Sequence, residues 1–327
     1  MAFYGEGDFY AQKQKNRGVM VKNSAMKSNG KRRMSKKVKN ALTGYSFIAI
    51  NVIGVVFFWV IPLIFSFILS ISKWDMSKGL AGIKITGFQN YIDMWKDEWF
   101  QASLINNVIF TLAYVVLLLV ISFFVALFLK EKIIGKKLVQ MGMYLPYVVN
   151  VVAIAAVFLA IFSREGPVTV LLKFLGMENP PMFLNDTRFA LATVVVICVW
   201  QTMGYTAMLF LSGLINIPAD LYEAAAIDGA GWWQKTKNVT IPMLSSTSFF
   251  IMVTTIVNSF KVFGLINVMT SGGPGNSTTM LVYNIYRTAF RFNKIEFASA
   301  QGIVLLVLIF IISVIQFRIQ NKQMEER

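Results

Sequence analysis

A short cluster of acidic and small residues carries the strongest chemical signal in this sequence. Carboxylates that flank a ridge of alanines suit docking in a groove of another protein, because small residues permit close approach while charges set the register. The same segment suits a membrane surface, with the neighbouring Trp232 and Trp233 as interfacial anchors. These residue types leave both readings open. The members of the cluster are Glu223, Ala224, Ala225, Asp228 and Gly229.

A second set of residues places polar or aromatic groups inside long apolar runs. Polar groups are costly against lipid, so they tend to face a protein interior or a water-filled path. Aromatic faces pack on the C–H surfaces of sugars, while amides and hydroxyls bind sugar OH groups. The set therefore predicts a solute path, with hydrogen bonding between helices as the alternative for each member. Its members are Asn150, Trp200, Gln201, Tyr205, Thr255, Asn258 and Ser259.

Three of these residues and one lysine follow each other closely along the chain. The spacing of Thr255, Asn258 and Ser259 predicts that they share one face of a helix. Lys261 is the one cation inside the apolar runs. We expect its side chain to reach outward to the membrane surface, with an acid of a partner or an anionic solute as alternatives. With that lysine turned away, we expect an uncharged solute.

Several kinds of chemistry are disfavoured by composition. Histidine is absent and there is one cysteine, Cys198, inside an apolar run. The usual general base, the common nucleophile pairs and thiolate metal clusters are therefore missing. No G-x-x-x-x-G-K-[ST] phosphate loop occurs, so the chain offers no nucleotide site of its own. We expect no catalytic residues, no bound metal and no cofactor in this chain.

The elements that position these residues are membrane spans. Of the 327 residues, 56% are hydrophobic and 14% are charged, which indicates a bilayer as solvent. A spanning helix needs about 20 mostly apolar residues. The sequence predicts an all-α integral membrane protein with six transmembrane helices, at Tyr45 to Ile71, Val108 to Leu129, Tyr144 to Phe162, Phe189 to Leu211, Phe249 to Met269 and Phe297 to Phe317.

The distribution of basic residues orients these spans. Most lysines and arginines fall on one side if both termini are cytoplasmic, largely because of the N-terminal run from Lys31 to Lys39. That run predicts contact with anionic lipid headgroups rather than nucleic acid. We expect residues 1–43 to form a disordered basic cytoplasmic tail, 44–320 the six-helix domain, and 321–327 a short cytoplasmic C-terminus.

The loop at residues 215–243, between the fourth and fifth spans, reads as a folded knob. Asp220 and Glu223 have the spacing of a capping box that begins a helix after Pro218. Gly229 and Gly231 suit a sharp reversal with positive backbone angles. A second short helix is predicted from Trp232 to Asn238, with Pro242 at the entry to the next span.

This loop resembles a known motif. EAAAIDGAG followed by NVTIP is similar to the EAA motif of the inner-membrane subunits of binding-protein-dependent ABC importers. The motif reads Glu-Ala-Ala, three residues, Gly, nine residues, Ile, one residue, Leu-Pro. The matching positions are Glu223, Ala224, Ala225, Gly229, Val239, Ile241 and Pro242. The two departures, Val239 and Ile241, keep aliphatic character.

A second stretch narrows the resemblance. The segment from Ser259 to Phe290, followed by EFASAQGIVLL, resembles carbohydrate-uptake permeases of the maltose and glycerol-phosphate type. Within that group, Thr270, Gly272, Gly273 and Pro274 are similar to a stretch of the MalF-like rather than the MalG-like partner. The residues allow this outer loop to be a packing element or a docking surface for a binding protein.

The resemblance implies the type I ABC importer permease fold and a set of partners. These would be a second, MalG-like permease, two ATPase subunits that hold ATP and magnesium, and an extracellular solute-binding protein that delivers a sugar. Together with the expected direction of Lys261, this predicts a neutral saccharide. The loop with Glu223 would form a coupling helix that seats in the ATPase. It also implies a prokaryotic cytoplasmic membrane. A self-sufficient secondary carrier or channel is the competing class, although carriers usually place acids inside their spans.

Overall fold

The computed structural model describes residues 36–131 and 134–325, with side chains described over 44–131 and 134–320. The chain divides into two compact units, with the boundary along the sequence after Pro62. The described helices are α1 Lys36–Val55, α2 Ile61–Ser70, α3 Gln89–Lys96, α4 Glu98–Lys130, α5 Lys136–Val148, α6 Val151–Ile161, α7 Pro167–Phe174, α8 Ala190–Ile215, α9 Ala219–Ile227, α10 Trp232–Lys235, α11 Ile241–Met243, α12 Ser245–Ser259, α13 Leu281–Tyr286 and α14 Ile295–Glu325.

Short helical segments of other pitch complete the secondary structure. Turns of π-helix join or extend the α-helices at Val56–Val60, Thr236–Thr240, Ile266–Thr270 and Arg287–Arg291. A 3₁₀-helical segment covers Met76–Gly82. An antiparallel pair of strands, β1 Ser72–Trp74 and β2 Ile83–Ile85, places Ser72 opposite Ile85. The chain is therefore mostly helical, and this hairpin is the exception to the all-α expectation.

Four of the predicted spans appear as continuous apolar helices. Gly44–Ser70, Glu98–Lys130, Ala190–Ile215 and Ile295–Gln320 are each long and apolar enough to cross a membrane. The prediction of these four is confirmed by length and composition, and the helices extend beyond the predicted bounds at α4 and α8. Asp97 begins α4 by accepting a hydrogen bond from the Phe100 amide at 2.7 Å.

The third predicted span is bent, so a single straight helix from Tyr144 to Phe162 is wrong. Helices α5 and α6 meet at an angle of 97°. Asn150 causes the restart, because its side-chain carbonyl accepts a hydrogen bond from the Val152 amide at 2.8 Å and caps α6. Together the two helices still pass the length and composition test for one broken span.

The fifth predicted span is also interrupted, so its bounds of Phe249 to Met269 are corrected. Helix α12 ends at Ser259, and a helical turn resumes at Ile266. The break brings Gly264 against Val151, whose Cγ1 would lie 2.7 Å from any Cβ added at that glycine. At the other end, the helical run Trp232–Met243 meets α12 at 66°.

The predicted domain limits, at residues 43 and 320, stay predictions. Residues 1–35 of the expected tail lie outside the described residues, and from Lys36 the chain is helical. Helix α14 continues to Glu325, past the expected limit at residue 320.

The core is built around α4 and α8. One buried cluster joins Phe110 and Leu118 of α4 to Val194 and Ile197 of α8. A second cluster joins Ala126 and Leu129 of α4 to Phe210 and Leu214 of α8, with Leu244 and Ile251 packed against them. These two long helices form the frame on which the remaining elements are placed.

Candidate functional site

Helix α9 carries the acidic cluster on an exposed knob. Its predicted capping box is absent, because α9 begins at Ala219 after Pro218 and no side chain caps it. Asp220 instead lies in the first turn, where an acidic residue complements the helix dipole. Glu223, Ala224 and Asp228 are exposed, while Ala225 is half-buried.

The end of α9 explains why Gly229 stands where it does. The Gly229 amide donates to the Ala226 carbonyl at 3.1 Å, and the Ala230 amide donates to the Ala225 carbonyl at 2.9 Å. This pair of hydrogen bonds is the Schellman motif, which requires a left-handed residue after the helix. Gly229 has φ 75° and meets that requirement. Gly231 has φ −71°, so the predicted reversal uses one positive angle rather than two.

The second half of the knob is longer than predicted. The helical run that begins at Trp232 continues through the π turn to Met243, so Pro242 lies within it rather than at the entry to the next span. Gln234 starts the run by accepting a hydrogen bond from the Gly231 amide at 2.8 Å. Trp232 and Trp233 are exposed, and so is Ile227, which leaves apolar surface beside the acidic cluster.

Tyr222 fastens α9 to the rest of the molecule. Its hydroxyl shares a hydrogen bond with the Thr240 hydroxyl at 3.0 Å, and Thr240 is buried. The ammonium of Lys130, at the end of α4, lies 4.1 Å from the centre of the Tyr222 ring. Sequence reasoning missed this tyrosine, although an aromatic residue beside Glu223 in a short amphipathic helix was a usable signal. The exposed acidic face of α9 is thereby held on a core helix.

A cleft of about 420 Å³ lies between α4, α5, α6, α8 and α12, in the region of the predicted spans. It gathers four of the residues predicted for the solute path, together with Lys261. These four are Gln201, Tyr205, Thr255 and Asn258. Asn258 and Lys261 are exposed to the cleft, whereas Thr255 is largely buried. Lys261, expected from the sequence to reach outward to the membrane surface, lines this cleft instead.

Tyrosines that the sequence analysis did not select also line the cleft. The ring of Tyr147 stacks on Tyr205 with centroids 4.3 Å apart and planes 7° from parallel. Tyr114 of α4 shares a hydrogen bond with Thr202 at 2.9 Å. The signal that could have found both tyrosines was their position inside apolar runs, as it was for Tyr205. The cleft therefore offers aromatic faces next to amide groups.

Close packing of two helices positions the stacked tyrosines. A Cβ at Gly204 of α8 would overlap the backbone carbonyl of Met143 in α5. Only glycine permits this approach, which places Tyr147 of α5 over Tyr205 of α8. Gly204, the residue before Tyr205 in the sequence, thus allows the Tyr147 and Tyr205 rings to stack.

The remaining predicted residues lie elsewhere. Asn150 caps α6 and does not line the cleft. Trp200 packs edge-on against Phe158, with ring centroids 5.1 Å apart. Ser259 is buried, does not line the cleft, and shares a hydrogen bond with Thr111 of α4 at 2.7 Å, although it lies in the same unbroken helix as Thr255 and Asn258. A hydrogen bond between two helices therefore satisfies the Ser259 hydroxyl, which was the alternative to solute contact.

The outer loop with Gly272 and Gly273 is a packed element. The Thr279 hydroxyl donates to the Gly272 carbonyl at 2.9 Å, and the Tyr283 hydroxyl donates to the Ser271 carbonyl at 2.7 Å. The Asn106 amide of α4 donates to the Asn276 carbonyl at 2.7 Å. These contacts favour the packing interpretation of this loop and tie it to the same helix that holds Tyr114.

The described residues contain no group of three or more acidic, cysteine or histidine side chains able to hold a metal ion. What the arrangement offers is reversible binding, through hydrogen-bonding groups and aromatic faces in a cleft, and docking, through an exposed knob.

Comparison with known proteins places the chain in a family. Residues 119–326 match the profile of the family described as binding-protein-dependent transport system inner membrane component. The sn-glycerol-3-phosphate transport system permease protein UgpA of Yersinia enterocolitica is 34% identical over 73% of this chain and 81% of its own length. The probable starch degradation products transport system permease protein AmyD of Thermoanaerobacterium thermosulfurigenes is 28% identical over 89% of this chain and 99% of its own.

A solved structure shares the fold. A chain of a bacterial alginate ABC transporter, crystallised in complex with an alginate pentasaccharide-bound periplasmic protein, superposes with a TM-score of 0.75 at 21% identity. The match covers 87% of this chain and 96% of that chain. The family match extends over the knob, α8, the cleft residues of α12 and the last helix. The chain therefore belongs to the family of binding-protein-dependent transport system inner membrane components.

Proposed function

We propose that this chain is one permease subunit of an ATP-driven importer of sugars or oligosaccharides, and that α9 is its coupling helix to a separate ATPase. The observation that carries the proposal is the exposed acidic face of α9, held on α4 through Tyr222 and Lys130. An exposed amphipathic helix that is fixed to core helices transmits a displacement of its docked partner to those helices. Those helices line the cleft.

The proposed topology follows from the bent pairs. If each pair is one span, the chain has up to six spans. An even number of spans leaves both termini on one side, and the basic residues favour the cytoplasm of a prokaryotic cell for that side. The 215–243 loop then also lies in the cytoplasm, on the side of a cytoplasmic ATPase.

The proposed partners complete the transporter. A second permease subunit would form the other half of the path, two ATPase subunits would bind ATP and magnesium, and an extracellular binding protein would deliver the sugar. The sugar class is supported by the aromatic and amide groups of the cleft. It is also supported by the name of one relative, which refers to starch degradation products, whereas another is named for sn-glycerol 3-phosphate, a polyol phosphate.

The coupling role is tested by reversing one charge on α9. Glu223→Lys should abolish ATP-driven uptake in proteoliposomes of the full complex while the complex still assembles, because Glu223 is exposed and makes no contact in the core. The matched control is Glu178→Lys, an exposed acid outside the knob, which should leave uptake unchanged. Normal uptake by the Glu223→Lys complex would refute the coupling role of α9.

A further inference from the structure

Lys261 stands in an unusual position for a membrane cation. It lies two residues beyond the end of α12 and lines the cleft, with its side chain exposed. A lysine at membrane depth is costly unless it faces water or pairs with an acid. Among the described residues, ion pairs form at Lys78–Asp75 and Arg188–Asp186, and Lys261 takes part in neither. Its charge is therefore available in the cleft.

The surroundings of Lys261 leave that charge uncompensated within the described chain. The cleft lining contains no aspartate and no glutamate. Gln201, Asn258 and Tyr205 make no side-chain hydrogen bond with another described residue, so their polar groups are free to bind a solute. A cleft lined by one sign of charge and by low-dielectric walls concentrates ions of the opposite sign. The charge of Lys261 therefore gives this cleft a positive electrostatic potential.

We propose that Lys261 makes this cleft selective for saccharides that carry an anionic group, a carboxylate or a phosphate; this rests on the proposed function. The ammonium of Lys261 binds the anion, Asn258 and Gln201 bind hydroxyls, and the stacked Tyr147 and Tyr205 offer a ring face to the sugar. This reverses the expectation of a neutral saccharide, which depended on a lysine turned away from the path.

The potential of the cleft is measured without knowing the solute. Thr254 lines the cleft two turns before Lys261, and Thr254→Cys in a Cys198→Ala background provides one thiol in this chain. The full complex is held in phosphatidylcholine nanodiscs and labelled with anionic sulfonatoethyl or cationic trimethylammonioethyl methanethiosulfonate. Labelling of this chain is followed by mass spectrometry.

The expected result is a charge preference that depends on Lys261. Relative to a free thiol, the anionic reagent should react faster than the cationic one, and Lys261→Gln should lower that ratio by about threefold, or about 0.6 kcal/mol. Lys261→Arg keeps the charge and should keep the ratio. An unchanged ratio in Lys261→Gln means that the lysine is neutralised by a partner acid or lies in lipid, and this overturns the proposal.

Selectivity for the solute is measured by protection of the same thiol. Trigalacturonate should slow labelling by a small neutral reagent more than its fully methyl-esterified form does, and Lys261→Gln should remove the difference. Glucose 6-phosphate compared with glucose tests a phosphate in the same way. Equal protection by the charged and the uncharged member of both pairs, or protection by no member of either pair, overturns the proposal. In phosphatidylglycerol nanodiscs the surface potential lowers the ratio for both proteins, so the comparison there is between the unaltered protein and Lys261→Gln. Loss of the difference between these two proteins in phosphatidylglycerol means that lipid headgroups neutralise the lysine, which also overturns the proposal.

These outcomes are separable from failure of the proposed function. Coupling to an ATPase is read from the Glu223→Lys uptake experiment, which does not involve the cleft. A complex that loses uptake on Glu223→Lys but shows no effect of Lys261→Gln on labelling is an importer whose cleft does not select anions.

Discussion

A single residue, Tyr222, attaches helix α9 of the knob to the core. Tyr222 combines a hydrogen bond to buried Thr240 with a ring that lies beneath the Lys130 ammonium. An ammonium over an aromatic face contributes about 0.5–2 kcal/mol, and a neutral hydrogen bond contributes about 0.5–1.5 kcal/mol. The ring also packs against the cluster around Leu129 and Leu214. One side chain thus connects α9 to both long core helices.

Removal of the Tyr222 contacts should uncouple ATP hydrolysis from solute uptake. Tyr222→Phe loses the hydrogen bond and keeps the ring, so we expect a loss of about 1 kcal/mol in stability and nearly normal uptake. Tyr222→Ala also loses the packing, and we expect fewer solute molecules imported per ATP hydrolysed. The measurement is the ratio of uptake to ATP hydrolysis in proteoliposomes. Equal ratios for Tyr222→Ala and the unaltered complex would show that this mount is not needed for coupling.

At the scale of elements, helix breaks and close approaches position the cleft residues. The bend between α5 and α6 and the interruption after α12 bring Gly264 against Val151. The contact at Gly204 holds α5 against α8 closely enough for Tyr147 to stack on Tyr205. The cleft is therefore formed by departures from straight helices.

Gly204→Ala should separate α5 from α8. The added Cβ would overlap the Met143 carbonyl, and we expect a loss of about 1–3 kcal/mol in the free energy of unfolding. Cross-linking between Tyr147→Cys and Tyr205→Cys by a short bifunctional reagent should fall in parallel. Gly142→Ala is the matched control, because a Cβ at this glycine of α5 meets no atom within 4 Å. Undiminished cross-linking in the Gly204→Ala protein would contradict this account of the helix contact.

At the scale of the whole molecule, burial distinguishes the helices by role. More than half of the most apolar stretch of α8 is buried, 56%, whereas only 17% of that of α14 is buried. Helix α8 thus lies at the centre of the packing, whereas few residues of α14 are fully buried and most are half-buried or exposed. Asn258 and Lys261 are exposed although they lie in the cleft, which is consistent with one half of a shared path.

Transport should therefore require more than this chain. Proteoliposomes that contain only this protein should take up no sugar, because the chain has no phosphate loop and its cleft is proposed to be half of the path. The control is the complex with its second permease, ATPases and binding protein, assayed with the same labelled sugar. Uptake by the chain alone would favour a self-sufficient carrier or channel over the importer subunit.

Sequence was sufficient wherever local pattern decides structure. The long apolar runs predicted α4, α8 and α14, since about 20 apolar residues can satisfy both lipid and their own backbone only as a helix. The spacing of Glu223, Gly229 and Pro242 led to the family, and Gly229 has the left-handed conformation predicted for it. Polar residues in apolar runs identified Gln201, Tyr205, Thr255 and Asn258, all of which line the cleft.

Only the tertiary structure decided which polar groups face the cleft and which face another helix. Ser259 and Asn258 are adjacent in sequence, yet Ser259 pairs with Thr111 of α4 while Asn258 is exposed in the cleft. Tyr147 joins the site because a distant glycine, Gly204, lets two helices meet. The direction in which the Lys261 side chain points depends on the residue at which α12 ends. The physical reason is that helical periodicity orders side chains around one axis, whereas their partners come from helices that the periodicity does not specify.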